Sequence, residues 1–121
     1  MATILLVDDD EAVRSMLRRA LQRRGYDVIE AAEGGAALRA LSSATVDLVI
    51  TDILMPGMEG IETIQALRRT YPNLKIIAMS GGGRMKPEGY IEVAKAFGAF
   101  RVFTKPFDNE ELIAAIEDAI R

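Results

Sequence analysis

Five short apolar runs, each followed by a segment whose apolar residues recur every three to four positions, constrain this chain more than any other feature. The runs are Thr3-Ile4-Leu5-Leu6-Val7, Asp27 to Ala31, Asp47-Leu48-Val49-Ile50-Thr51, Leu74 to Met79 and Phe100 to Thr104. The first is apolar without interruption, as a strand covered on both faces must be. Val13, Leu17, Ala20 and Leu21 share one helical face, and Gly25 ends that helix. Gly34-Gly35 lead into a second helix with Ala37, Leu38 and Leu41 inward. Ile61, Ile64 and Leu67 mark a third, which stops near Pro72, and a fourth is predicted from about Glu88 to Phe97. In the last, Asp108 and Glu111 have the spacing of a capping box, with Leu112, Ile113, Ile116, Ala119 and Ile120 on the buried face. Repeated strand–helix alternation demands an α/β fold: a doubly wound five-stranded parallel sheet with helices on both faces. No linker, repeat or low-complexity segment interrupts the pattern, so one domain over residues 1–121 is expected.

Composition removes several chemistries. The chain has no cysteine and no histidine. Disulfides, zinc fingers, iron–sulfur clusters and Ser-His-Asp or Cys-His catalysis are therefore excluded. Any metal must be a hard cation held by oxygen, and any acid–base group must be Asp, Glu, Lys or Tyr. A net charge of −3 argues against a stand-alone nucleic-acid binder. The start of the chain lacks a basic lead-in, and no apolar run approaches twenty residues. The expectation is a soluble cytoplasmic protein without a membrane anchor.

In doubly wound folds the chemistry collects at the carboxyl ends of the strands. There the sequence places Asp8-Asp9 after the first strand, Asp52 after the third, Ser80-Gly81-Gly82-Gly83 after the fourth and Lys105-Pro106 after the fifth. Each has an ordinary reading. An acidic triplet caps a helix, an aspartate serves a turn, Ser-Gly-Gly-Gly is a flexible connection, and a lysine sits on the surface. Capping needs only Asp10, however, which leaves Asp8 and Asp9 as surplus acids near Asp52. Like charges gathered in a cleft repel unless a cation is bound, and Mg²⁺ suits one or two carboxylates together with waters and phosphate oxygens. Asp52 then reads as a nucleophile toward phosphorus, activated by the metal. Ser80 and Lys105 read as donors to phosphoryl oxygens, and a cis bond before Pro106 would aim the lysine inward.

Together Ile4-Leu5-Leu6-Val7-Asp8-Asp9-Asp10, Asp47 to Gly57, Met79-Ser80-Gly81 and Thr104-Lys105-Pro106-Phe107 resemble the receiver domain of bacterial two-component response regulators. The resemblance covers the whole chain, in order. It implies a flavodoxin-like (βα)5 fold with sheet order 2-1-3-4-5. It also implies that Asp52 accepts a phosphoryl group from the phosphohistidine of a sensor histidine kinase or a histidine phosphotransfer protein. Asp9 would be a direct Mg²⁺ ligand, Asp8 would act mostly through water, and Asp52 and the backbone carbonyl of Leu54 would complete the metal site. Ser80 and Lys105 would contact the phosphoryl oxygens, Pro106 would be the family's cis proline, and a downstream protein would dock on the face of the fourth helix, fifth strand and fifth helix.

Two departures from the family pattern bear on the switch. Receivers usually carry Tyr or Phe three residues before the lysine, where this chain has Val102, with Phe103 beside it. The loop after Ser80 holds three consecutive glycines, so loop ordering rather than ring rotation is expected to carry the signal. Neither Leu54 nor Gly82 offers a side chain to place a hydrolytic water, which implies a long-lived phospho-form. Other readings remain at this point: a receiver cut from a larger regulator, a Mg²⁺-dependent phosphohydrolase working through an aspartyl phosphate, and a flavodoxin-like cofactor binder. Leu54 occupies the place where such a hydrolase needs its second acid, and no aromatic pair is positioned to stack a flavin.

Overall fold

The computed structural model describes residues 2–53, 60–80, 98–104 and 108–120. They form β1 (Thr3–Val7), α1 (Glu11–Arg23), β2 (Asp27–Ala31), α2 (Gly34–Ser43), β3 (Leu48–Asp52), α3 (Gly60–Thr70), β4 (Lys75–Ser80), β5 (Arg101–Thr104) and α4 (Asn109–Ile120). The helix predicted over 88–97 lies outside the described residues. The five strands make one sheet in the order β2-β1-β3-β4-β5 with every pairing parallel, as the resemblance implied.

Alternation along each strand divides the core in two. Ile4, Leu6, Leu48, Ile50, Ile77 and Met79 face α1 and α4, where they meet Leu17, Leu21, Leu112, Ile113 and Ile116. Leu5, Val7, Val49, Ile76 and Ala78 face the opposite way and meet Ala37 and Leu41 of α2 and Ile64 and Leu67 of α3. A strand covered on both faces has no polar side to show, which is why β1 reads as uninterrupted Ile-Leu-Leu-Val.

The element ends follow local chemistry. Asp10 accepts from the N–H groups of Ala12 at 2.9 Å and Val13 at 3.3 Å, the N-cap of α1. Asp108 caps α4 through the N–H of Glu110 at 2.9 Å. Gly25 leaves α1 at φ +89°, a backbone region that side chains with a Cβ disfavour, and donates its N–H to Gln22 O. Three strands begin one residue later than the apolar runs suggest. Asp47 explains the shift of β3, because its side chain turns back to accept the N–H of Thr3 at 2.8 Å. Replacing Asp10 with alanine should cost about 1 kcal/mol in a urea unfolding experiment, and Asp10→Asn, which keeps an acceptor, should recover most of it.

Candidate functional site

β1 and β3 are adjacent and parallel, with Val7 opposite Thr51, so their carboxyl ends emerge side by side. Asp8 follows Val7, and Asp52 is the last residue of β3. The ladder continues one step past Asp52, where Ile53 N–H donates to Met79 O at 2.9 Å. Ile53 itself is buried. The backbone of Asp52 is therefore held against β4, and the residue before it, Thr51, against β1, a rigid mount for a reacting group.

Carboxylate oxygens of Asp8, Asp9 and Asp52 all lie within 4.8 Å of one another. Asp8 is 0 % and Asp52 5 % exposed, while Asp9 is exposed. Burying charge is costly unless it is compensated, and two buried carboxylates side by side compound that cost. Part of the compensation is visible: Asp8 Oδ1 accepts the N–H of Asp10 at 2.9 Å. A divalent cation would supply much more. The donor set is all oxygen, and its compactness suits a small hard ion. Two oxygens bound to one Mg²⁺ sit no more than about 4.2 Å apart, and Mg²⁺ commonly takes one or two carboxylates directly and keeps several waters, which a cluster within 4.8 Å can accommodate. The residues present fit Mg²⁺.

Of the residues singled out in sequence, Asp8, Asp9 and Asp52 are thus brought together. Ser80 ends β4, one place beyond Met79, which pairs with Asp52, and it stands in register with Thr104 of β5. Leu54, Lys105 and Pro106 lie outside the described residues, as does the glycine segment after Ser80. Val102 pairs with Ala78 and packs against the apolar cluster on the α2–α3 side. Phe103 packs against the opposite cluster, on the α1–α4 side. A residue one place along a strand points to the other face, so Phe103 does not stand in for the missing aromatic at position 102.

Sequence reasoning missed Arg14. Its guanidinium donates to the backbone carbonyl of Asp8 at 2.7 Å and pairs with Glu30 on β2 at 3.3 Å. Glu30 is held from its other oxygen by Arg18 at 2.6 Å. The signal was the i, i+4 arginine pair on α1, whose partner lies on a strand rather than on the helix itself.

The family model of the response regulator receiver domain matches residues 4–117. The chain is 34 % identical over 114 residues to sporulation initiation phosphotransferase F of Bacillus subtilis, covering 94 % of this chain and 90 % of that protein. It is 37 % identical over 121 residues to the DNA-binding transcriptional regulator NtrC of Azospirillum brasilense, covering 98 % of this chain but 24 % of that protein. The chain thus spans about a quarter of that relative's length, and 12 % of that of the sensor kinase CckA of Brucella abortus. Among solved structures it is similar to the response regulator protein TrrA of Thermotoga maritima in complex with Mg(2+)-BeF. That match has a TM-score of 0.87 and 32 % identity, covering 98 % of this chain and 99 % of that one.

Proposed function

Because this chain belongs to the response regulator receiver family, whose members are phospho-accepting switches of two-component systems, we propose that Asp52 is its phospho-acceptor and that Asp8, Asp9 and Asp52 hold Mg²⁺. The observation that carries this reading is the convergence of three carboxylates from two adjacent strand ends, two of them buried. A carboxylate of Asp52 attacks the phosphorus of the donor, an O–P bond forms, and the bond from phosphorus to the leaving nitrogen breaks. Mg²⁺ bound there supplies charge neutralisation for the carboxylates and for the phosphoryl oxygens. Strand β3 holds Asp52 still, so little reorganisation is needed to present it. Ser80 and Lys105 are assigned to the phosphoryl oxygens, Leu54 to a backbone metal contact and Pro106 to the exit of β5, all from the family motif. Val102 is assigned a packing role in the switch rather than a rotating one.

Receiver domains work with histidine kinases or phosphotransfer proteins. For this chain we propose a kinase or phosphotransfer-protein phosphohistidine as the donor, one receiver unit over 1–121, a cytoplasmic setting and a downstream protein on the face formed by the helix predicted over 88–97, β5 and α4. Any catalytic part is limited to its own phosphorylation and slow dephosphorylation. Among the described residues no helix is long and apolar enough to cross a membrane.

Phosphoramidate tests the metal requirement without knowledge of the kinase. Intact mass should show a gain of one phosphoryl group with Mg²⁺ and none when EDTA replaces it. Asp47→Asn, at the opposite end of β3, should still gain the group. Equal labelling with and without the metal would contradict the assignment.

A further inference from the structure

Asp9 is the exposed member of the acidic cluster, so packing does not set the position of its carboxylate. What precedes it is tightly held. Asp8 N–H donates to Ala31 O at 3.1 Å, which ties the entry of this segment to β2. The Asp8 carbonyl belongs to the peptide that joins Asp8 to Asp9, and it receives Arg14 Nη1 at 2.7 Å. Arg14 is in turn anchored to β2, because its Nε donates to Glu30 Oε1 at 3.3 Å. Glu30 pairs in register with Leu6 of β1. Its second oxygen takes Arg18 Nη1 at 2.6 Å, so the carboxylate is held from two sides. The Arg14 side chain is only 16 % exposed and that of Glu30 26 %. A planar guanidinium that donates to two fixed acceptors has its orientation set by them.

We propose that Arg14 is a positioning residue for the Mg²⁺ site: anchored by Glu30, it fixes the plane of the Asp8–Asp9 peptide and so the place from which Asp9 reaches the metal. This rests on the assignment of Asp8, Asp9 and Asp52 to Mg²⁺. Groups that orient metal ligands typically change affinity by tenfold or more when removed.

The sign of the effect separates positioning from plain electrostatics. Arg14 is a cation beside a cation site, and through space it opposes Mg²⁺. Its loss would then tighten binding. Loss of positioning weakens it.

The test is calorimetric titration of the whole chain with Mg²⁺ alone, paired with unfolding midpoints in EDTA. Arg14→Ala should raise the Mg²⁺ dissociation constant roughly tenfold. Unchanged or tighter binding overturns the proposal. A role confined to stability would lower the midpoint and leave the affinity of the folded protein as it was, which also overturns it. Should Arg14→Ala not fold, Glu30→Ala leaves Arg14 in place but unanchored. That variant should bind more weakly too, and wild-type affinity there overturns the proposal. Asp9→Ala isolates the underlying assignment: if it binds Mg²⁺ as well as wild type does, the metal site itself falls, and the role of Arg14 with it.

Discussion

Asp52→Asn will leave the protein unable to accept a phosphoryl group and, in metal-free buffer, more stable than wild type. The two effects share one cause. Carboxylate oxygens of Asp8, Asp9 and Asp52 lie within 4.8 Å of one another, and two of the three residues are buried. At 4.8 Å, with an effective dielectric near 20, a like-charge pair costs about 3.5 kcal/mol before screening by water and salt. Asparagine keeps the shape of the side chain and removes the charge. The expected gain in EDTA is about 1–3 kcal/mol by urea unfolding. Mg²⁺ reverses the order of benefit, because a ligand that binds only the folded state stabilises it in proportion to its affinity. Wild type should gain markedly on adding Mg²⁺, and Asp52→Asn should gain little. A variant less stable than wild type in EDTA would show that the carboxylate is a structural asset rather than stored repulsion.

Gly98→Ala will destabilise the fold by about 2–4 kcal/mol, from two sources that can be separated. Gly98 has φ +104°, outside the region that residues with a Cβ readily occupy. A Cβ built there would also meet Arg68 Nε at 2.8 Å. Arg68 has little freedom to yield. It donates to Pro72 O and to Gly98 O, both at 2.7 Å, and so ties the end of α3 to the segment before β5. Its Nε is already buried, with no partner among the described residues. Moving the guanidinium aside would break both hydrogen bonds, one exposed and one part-buried. The double variant with Arg68→Ala resolves the terms. In that background Gly98→Ala should cost only the backbone strain, about 1–3 kcal/mol, and the difference between the two backgrounds measures the steric coupling. Equal cost in both backgrounds would mean that the contact with Arg68 carries none of the effect.

The contrast between these two sites explains what the sequence made legible. The acidic cluster was readable because strand ends are readable. An uninterrupted apolar run can end in only one place, and parallel strands put their carboxyl ends on a common edge. Asp8, Asp9 and Asp52 then had to meet, although 43 positions separate Asp9 from Asp52. The buried faces of the described helices followed from their own periodicity, whereas the strand order was implied by the family resemblance and not by alternation. The N-caps at Asp10 and Asp108 were readable because capping is local, spanning two or three residues.

Arg14 and Gly98 were not readable, for a common reason. An arginine on a helix face usually marks a solvated surface. That Arg14 reaches a partner on a strand depends on the packing of α1 over β2, which no local pattern encodes. The close contact of Gly98 with Arg68 likewise joins residues thirty positions apart. Phe103 shows how a small offset decides a role. It sits one place from the position where receivers usually carry an aromatic, and strand alternation sends it into the other core. Val102 faces the α2–α3 side with no ring to rotate, so a signal from a phosphorylated Asp52 would have to travel by something other than an aromatic at that position.

The central claim is that the phosphoryl group is carried by Asp52 as an acyl phosphate. Borohydride reduces an acyl phosphate to an alcohol, which converts the modified aspartate to homoserine and leaves free carboxylates untouched. The protein would be treated with phosphoramidate and Mg²⁺, reduced, digested and sequenced by tandem mass spectrometry. Homoserine should form at position 52 and nowhere else, with none in EDTA. Homoserine at Asp8, Asp9 or Asp47, or a phosphoryl group that survives reduction on Ser80, would contradict it.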